Sequence, residues 1–163
     1  MPEHIAIYPG SFDPPTLGHL DLMQRAAKMF HKVIVAVANN EQKQALFTVQ
    51  ERVEMLQEMV GELANVEVRH FQGLTVEFAV QNKAVSLLRG LRAMSDFEYE
   101  LSLAINNRKL RPEVDTVCLM PSEPYLFLSS RQVKEIASLG GQISHYVTPS
   151  VEQRIRAKFN AKK

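Results

Sequence analysis

The clearest candidate for chemistry is an N-terminal stretch that runs from Tyr8 to His19 and reads YPGSFDPPTLGH. It follows a short apolar segment and leads into a predicted helix. Gly10 lets the backbone approach a ligand, Ser11 offers a hydroxyl, and His19 lies in the first helical turn, where free amides and the helix dipole favour an anion. A proline-rich turn with a helix-capping histidine is the alternative. The stretch is neither a Walker loop nor a GxGxxG motif, because the Lys-Ser/Thr pair and the third glycine are missing.

Two further candidates follow the second and third apolar segments. Lys43 is the one cation in the polar stretch 39–47, and Thr75 closes a Gly-Leu-Thr turn. Each has an ordinary explanation by itself, which is a solvated loop lysine in the first case and a threonine that caps the next helix in the second. A functional interpretation of either residue is favoured only if it shares a site with the N-terminal stretch.

Two arginines follow the fourth apolar segment directly, in the sequence RGLR from Arg89 to Arg92. Guanidinium groups present forked donors that match phosphate oxygens, although a pair of surface arginines at the rim of a sheet is the alternative. The helix that follows begins with a predicted capping box of Ser95 and Glu98. Glu100 has no such structural explanation and can accept a hydrogen bond from a ligand.

The last candidate is the segment YLFLSSR from Tyr125 to Arg131, which separates the fifth apolar segment from another helix. Ser129 and Ser130 offer hydroxyls and free amides at the start of that helix, an arrangement that binds anions. A plain serine cap supported by Gln132 is the alternative. Arg131 puts a cation in the first turn, against the helix dipole, and a residue placed against the local rule hints at function.

Five apolar segments of strand length alternate with helical spacings and position these candidates. The predicted strands are Ile5 to Tyr8, Val33 to Ala38, Val66 to Val68, Val85 to Leu88 and Val117 to Met120. This alternation predicts right-handed crossovers and an α/β fold, a doubly wound five-stranded parallel sheet covered on both faces. Ligands bind such sheets beyond the carboxyl ends of the strands. Every candidate segment follows a strand, so we expect one cationic rim that binds polyanions, most simply a nucleoside triphosphate and a second phosphate.

The helices between the strands have their own signals of start, stop and inner face. We predict a helix start at Thr48 with Glu51 as its capping partner, a stop near Gly140-Gly141 and a final start at Pro149-Ser150. The helix after the fourth strand is expected to bury an inner face of Phe97, Leu101, Ala104 and Ile105. The cysteine in the fifth strand, Cys118, is expected to be a core residue with an inert thiol.

Composition restricts the class of protein. The chain has 163 residues, 45% hydrophobic and 23% charged, so one domain over 1–163 is expected. With 19 Lys and Arg against 18 Asp and Glu, the net charge of +1 gives no global field that attracts nucleic acid or membrane. The single cysteine excludes an internal disulfide and fits a reducing compartment. The sequence shows neither a signal-peptide pattern nor an apolar run of about 18 residues, so a soluble cytoplasmic protein is expected.

The motifs together resemble the bacterial phosphopantetheine adenylyltransferases. The resemblance rests on YPGSFDPPTLGH, RGLR, DFEYE at 96–100 and FLSS at 127–130, and it covers nearly the whole chain. These enzymes are nucleotidyltransferases with a T/HxGH motif similar to that of class I aminoacyl-tRNA synthetases. The resemblance implies a Rossmann-like fold, a homohexamer, and transfer of the adenylyl group of ATP to 4′-phosphopantetheine in coenzyme A biosynthesis. The products would be dephospho-coenzyme A and pyrophosphate, with Mg²⁺ carried mainly by ATP because the sequence shows no dense carboxylate cluster and no protein metal ligands.

The same resemblance implies roles for individual residues. The catalytic group would be His19 as transition-state stabiliser, with Lys43 and Arg92. The phosphopantetheine site would comprise Ser11, Lys43, Thr75 and Arg89. The ATP site would comprise Ser11, Phe12, His19, Gly90, Leu91, Arg92, Glu100, Tyr125, Leu126, Phe127, Leu128, Ser129, Ser130 and Arg131. Three positions depart from the wider pattern: Ser11 replaces the commoner threonine, Thr16 replaces the first histidine of the superfamily motif, and Arg131 replaces a small hydroxyl residue.

The chemistry of these substrates predicts the mechanism. A phosphate monoester is anionic near neutral pH, so it can attack the α-phosphorus in line without a general base or a covalent enzyme intermediate. The protein would then position two anions and neutralise their charge. The alternatives are an adenylyltransferase for nicotinamide mononucleotide or a glycerol phosphate, a non-catalytic ATP-binding module, and an electron-transfer flavoprotein of similar topology. The sequence around Arg89 and Glu98-Tyr99-Glu100 favours phosphopantetheine as the acceptor.

Overall fold

The computed structural model describes residues 3–39 and 44–161, and it confirms the predicted α/β architecture. Five parallel strands form one sheet in the order β3-β2-β1-β4-β5. Their bounds are β1 Ile5–Gly10, β2 Lys32–Ala38, β3 Val66–Phe71, β4 Ser86–Gly90 and β5 Asp115–Leu119. The order reverses between β1 and β4, which are neighbours in the sheet, so the topological switch point lies at their carboxyl ends.

Six helices connect and flank the strands in the described part of the chain. They are α1 Leu17–Met29, α2 Val49–Val60, α3 Thr75–Gln81, α4 Met94–Leu110, α5 Ser130–Ser138 and α6 Pro149–Asn160. The predicted capping box of α2 is confirmed, since the Glu51 amide donates to the Thr48 hydroxyl at 3.2 Å and the Thr48 amide donates to the Glu51 carboxylate at 2.8 Å. The chain turns after α5 at Gly140, whose φ of +79° belongs to the left-handed region. Thr148, one residue earlier than expected, caps α6.

Both faces of the sheet are apolar, which is why the inner strands have nearly continuous hydrophobic sequences. On β2, Val33, Val35 and Val37 pack toward α1 and α2, whereas Ile34 and Ala36 pack toward α3. This alternation follows from the two-residue period of a strand. The sheet is therefore fixed from both sides, and the loops at its carboxyl edge start from rigid elements.

A third apolar cluster fixes the C-terminal helices. Val133 of α5 and Ile155 of α6 are buried together with Phe47, Met55 and Ile143. Because Met55 belongs to α2, this cluster packs α5 against the main body of the protein. The start of α5 is thereby held beside the carboxyl edge of the sheet.

Helix α4 contradicts two predictions. It begins at Met94, after Ala93 in an extended conformation and without a side-chain cap, so Ser95 lies inside the helix and the predicted Ser95–Glu98 capping box is wrong. The expected inner face is also wrong, because Phe97, Leu101 and Ile105 are 47–49% exposed. Helical spacing reveals that apolar residues share a face but not which surface covers it.

Cys118 is also placed differently from the prediction, since it is exposed rather than part of the core. It lies on β5, the last strand of the sheet, which pairs with β4 alone. An edge strand can have an apolar sequence while part of it faces solvent, because it has a neighbour on one side only. Burial still raises the pKa of the thiol, with the nearby Glu100 charge adding to the effect.

Within residues 3–39 and 44–161, no helix combines the length and the apolar character that crossing a bilayer requires.

Candidate active site

A cleft of about 580 Å³ opens at the carboxyl ends of β1 and β4. Its walls come from the loop after β1, the first turn of α1, the loop after β4, α4, and the start of α5. These are distant segments of the chain that the switch point of the sheet brings together. The cleft is therefore where the fold itself predicts a ligand.

The floor of the cleft is built on Gly10 and Phe12. Phe12 is buried with a φ of +50°, a left-handed conformation that non-glycine residues adopt at a cost of about 1–2 kcal/mol. Its ring packs edge-on against His19 at 4.9 Å between centroids and against Tyr8 at 5.4 Å. A Cβ on Gly10 would lie 3.0 Å from the Phe12 ring, so this close approach needs glycine. The strained loop thus supports the imidazole from below.

The imidazole of His19 has a defined orientation and a defined tautomer. The Thr16 amide donates to Nδ1 of His19 at 2.9 Å, and the Thr16 hydroxyl lies 3.2 Å from the same nitrogen. Since Nδ1 accepts a hydrogen bond, the ring proton is on Nε2. Burial, and secondarily the Arg92 charge, lower the pKa of His19 from 6.5 to about 4. The residue is therefore a neutral hydrogen-bond donor at neutral pH.

Arg89 and Glu100 form a fork inside the cleft. Nε and Nη2 of Arg89 each donate to a Glu100 carboxylate oxygen at 2.9 Å. Burial disfavours the charge of Arg89, but these bonds outweigh burial and raise the pKa of the guanidinium. The fork fixes the plane of Arg89, and the donors on its other terminal nitrogen can bind a ligand oxygen.

Arg92 connects the loop after β4 with the loop before α5. Its Nη1 donates to the Leu128 carbonyl at 3.0 Å, and its Nε lies 3.4 Å from an Asp96 carboxylate oxygen. The start of α5 is ordered in turn by its own serines. Ser129 caps the helix by accepting from the Gln132 amide at 3.2 Å, and the Ser130 hydroxyl donates to the Pro14 carbonyl at 2.7 Å. Two cationic side chains and a helix start thus face one cleft.

Comparison with known proteins identifies the family. A family model described as cytidylyltransferase-like matches residues 7–136. The chain is 50% identical over 163 residues to the phosphopantetheine adenylyltransferase of Aromatoleum aromaticum, with 100% of both chains covered. It is 52% identical over 155 residues to the enzyme of the same name from Thermosynechococcus vestitus, which covers 95% of this chain and 92% of that protein. The chain belongs to the phosphopantetheine adenylyltransferase family.

The fold agrees with that of solved adenylyltransferases. The nicotinic acid mononucleotide adenylyltransferase of Plasmodium falciparum superposes with a TM-score of 0.72 and covers 98% of this chain and 97% of its own. Its identity to this chain is 15%, so the match describes the architecture alone.

In this member of the family, most of the residues predicted from the sequence line the one cleft. They are Ser11, Phe12, His19, Arg89, Gly90, Arg92, Glu100, Tyr125, Leu128, Ser129, Ser130 and Arg131. The predicted meeting at one rim is therefore found for the segments after β1, β4 and β5, whereas the Gly-Leu-Thr turn after β3 does not line the cleft. Gly90 has a packing reason as well, because a Cβ there would lie 2.8 Å from Leu22 of α1.

Four other predicted residues are not part of the lining of the cleft. Thr75, Leu91, Leu126 and Phe127 are not among the described residues that line the cleft. Thr75 is the first residue of α3 after Leu74, which has no side-chain cap, so the alternative interpretation of Thr75 as a helix cap is wrong. Phe127 is 80% exposed. Lys43 lies outside the described residues.

Four charged residues of the cleft were not predicted as site residues: Asp13, Arg52, Asp96 and Lys134. Asp13 lies inside the N-terminal stretch between Phe12 and Pro14, and Asp96 lies inside the DFEYE segment. Lys134 follows Ser130 by four residues, which puts both on one face of α5. Arg52 follows the cap of α2, Thr48, by the same spacing. Helical spacing from the predicted site residue Ser130 would have found Lys134, whereas Thr48 does not line the cleft and gives no such indication for Arg52.

Proposed function

We propose that this protein transfers the adenylyl group of ATP to 4′-phosphopantetheine, giving dephospho-coenzyme A and pyrophosphate in coenzyme A biosynthesis. The observation that carries the proposal is the cleft itself. It joins the His19 imidazole, the Arg89 and Arg92 guanidinium groups and the start of α5, in a chain half identical to enzymes of that name. Two polyanions need such a concentration of donors and positive charge to lie side by side.

His19 would act at the α-phosphorus as a hydrogen-bond donor. Its Nε2–H is available because the Thr16 amide occupies Nδ1. Because the pKa of the ring is about 4, the ring is neutral at neutral pH and donates a hydrogen bond without transferring a proton. The charge that accumulates on the α-phosphoryl oxygens in the transition state would strengthen this bond relative to the ground state.

The reaction needs no nucleophile from the protein. An oxygen of the phosphopantetheine phosphate forms a bond to the α-phosphorus, and the bond from that phosphorus to the bridging oxygen of pyrophosphate breaks. Pyrophosphate leaves with the electron pair, so phosphorus keeps its number of bonds and no proton must be removed. The work of the enzyme is then to hold the two phosphates in line and to offset their repulsion.

The arginines and the helix start divide between the two substrates. Arg89, oriented by the Glu100 fork, would bind the phosphate of phosphopantetheine together with Lys43, and Thr75 would belong to the pantetheine pocket, as the family resemblance implies. Arg92 and the backbone amides of Ser129 and Ser130 would bind the triphosphate, which a helix start favours. The other predicted ATP-binding residues that line the cleft are Ser11, Phe12, Gly90, Glu100, Tyr125, Leu128 and Arg131.

Mg²⁺ fits this site as an ion that arrives with the nucleotide. The described carboxylates of the cleft are Asp13, Asp96 and Glu100, and each is paired with a cation, which is Lys134, Arg92 and Arg89 respectively. No group of three potential ligands occurs among the described residues. Mg²⁺ commonly keeps its waters and binds mainly to substrate phosphates, where it neutralises the departing pyrophosphate.

Assembly and location belong to the same proposal. Phe97, Leu101 and Ile105 recur every four residues on α4 and are about half exposed, so they form an apolar stripe that a second copy of the chain would cover. A homohexamer is the assembly that the resemblance implies. A cytoplasmic location agrees with the reduced state expected for the lone Cys118.

A parallel assay tests the proposed function. The protein is mixed with ATP and Mg²⁺ and with 4′-phosphopantetheine, nicotinamide mononucleotide or no acceptor, and pyrophosphate is measured. We expect pyrophosphate with 4′-phosphopantetheine only. Pyrophosphate release with nicotinamide mononucleotide would show that the protein uses another acceptor. No release with any acceptor would favour a non-catalytic ATP-binding module.

A further inference from the structure

The carboxylate of Asp13 lies at the cleft and is almost fully buried, with 7% of the residue exposed. Its Oδ1 accepts from the Phe47 amide at 2.9 Å. Its Oδ2 accepts from the Leu46 amide and from Nζ of Lys134, both at 2.9 Å. Three donors from two distant segments, the approach to α2 and the middle of α5, therefore converge on one side chain.

The neighbours of Asp13 in the chain belong to the active site. Phe12 precedes it and packs its ring against His19. Pro14 follows it, and the Pro14 carbonyl accepts from the Ser130 hydroxyl at 2.7 Å. A displacement of Asp13 would therefore shift Phe12, which supports the imidazole, and Pro14, which is bonded to the start of α5.

The negative charge of Asp13 is matched by two cations. Lys134 pairs with it directly, and its side chain is 31% exposed to the cleft. Arg52 is 5% exposed and donates to the Ser11 carbonyl at 2.7 Å; burial lowers its pKa, while the charge of Asp13 opposes that effect. A neutral side chain at position 13 would leave an ammonium group and two amides pointing at a group that cannot satisfy them all.

We propose that Asp13 is a positioning residue of the active site, whose charge holds the Lys134 ammonium at the cleft and the approach to α2 against the loop that supports His19. This inference rests on the proposed function, because the quantity that Asp13 controls is the placement of a cation relative to the bound triphosphate. A displacement of about 1 Å at such a site costs up to about 10²-fold in rate.

The first test compares Asp13→Asn with Asp21→Asn. Asp21 is a matched control because it also accepts from an amide, that of Ser122 at 3.0 Å, and pairs with a cation, Arg25, but does not line the cleft. We expect both variants to lower the midpoint of thermal unfolding. Asp13→Asn should also lower kcat/KM for ATP by about 10- to 100-fold, whereas Asp21→Asn should leave it within about twofold of the parent. Equal activity of the two variants would overturn the inference.

The second test asks whether Asp13 acts through Lys134. Lys134→Met should also lower kcat/KM for ATP by about 10- to 100-fold, and the double variant should be no worse than the more impaired single variant. Losses that multiply in the double variant would contradict the positioning role. Should Asp13→Asn fail to fold, Lys134→Met decides alone, and near-parent activity overturns the inference.

Calorimetric titration with ATP separates this inference from the proposed function. If the parent protein releases no pyrophosphate with 4′-phosphopantetheine, the proposed function fails. The same variants then report through ATP affinity, which should weaken about tenfold in each single variant and no further in the double variant. Unchanged affinity would then overturn the inference as well.

Discussion

The fork between Arg89 and Glu100 allows a prediction whose magnitude follows from the structure. Glu100→Gln keeps the shape of the side chain and removes its charge. The pair makes two bonds of 2.9 Å, with the Glu100 side chain 8% exposed and that of Arg89 26% exposed. Removing one partner of a buried pair costs about 3–5 kcal/mol. Because Arg89 keeps partial access to water and glutamine retains one acceptor, we expect a loss of about 2–3 kcal/mol in the free energy of unfolding.

For a chain of this size, each kcal/mol lowers the unfolding midpoint by about 2–4 °C, so Glu100→Gln should lower it by about 4–12 °C in differential scanning calorimetry. The kinetic effect should be specific to one substrate. Since Arg89 loses its fixed plane, the KM for 4′-phosphopantetheine should rise about tenfold, which corresponds to one charge-assisted bond, and the KM for ATP should change less.

Glu77→Gln is the matched control for this experiment. Glu77 forms the same two-bond fork, with Arg111 at 2.8 Å, but at the surface and away from the cleft. Exposed pairs contribute little, so this variant should keep the parent's midpoint and kinetics. Equal destabilisation by the two variants would refute the reasoning from burial, and an unchanged KM for 4′-phosphopantetheine in Glu100→Gln would refute the role of the fork.

Three other predictions concern His19 and α4. His19→Ala should lower kcat by about 10²–10³ while circular dichroism shows that the fold is retained; turnover within twofold would contradict its role. Because the folded pKa of His19 is about 4 and its ordinary value 6.5, the unfolded chain binds more protons between these values, so the free energy of unfolding should fall as pH decreases from 6.5 toward 4. Denaturant titrations of parent and His19→Gln should show a smaller decrease in the variant. Leu101→Glu should shift the assembly to smaller species in size-exclusion chromatography with light scattering, whereas Leu139→Glu, at a residue 82% exposed beyond α5, should not.

The sequence predicted most of the fold because burial has a simple signature in a parallel sheet. The segment Val33 to Ala38 is apolar at every position, since β2 lies between two layers of helices. The start of α2 was equally predictable, because Thr48 and Glu51 form a capping box whose two hydrogen bonds depend only on nearby residues. The strand ends were less clear: β1 continues through Pro9 to Gly10, residues that by themselves indicate a turn.

The candidate site was predicted in outline because each of its segments follows a strand, and the topology then brings those segments together. What the sequence did not reveal are pairings between distant side chains. The sequence singled out Glu100 without revealing that it pairs with Arg89, and it placed Asp13 in the N-terminal stretch without revealing that it pairs with Lys134. Such partners are chosen by three-dimensional packing. For the same reason, spacing alone could not predict that the apolar face of α4 points outward.

A crystal structure with a non-hydrolysable ATP analogue and 4′-phosphopantetheine tests the central claim most directly, because it measures the distance from Nε2 of His19 to the α-phosphoryl oxygens. The account predicts a hydrogen bond of about 2.7–3.2 Å, with the acceptor phosphate in line behind the α-phosphorus and Arg89 and Arg92 each bound to phosphate oxygens. A triphosphate bound away from His19, or an imidazole turned so that Nδ1 faces the phosphate, would contradict it.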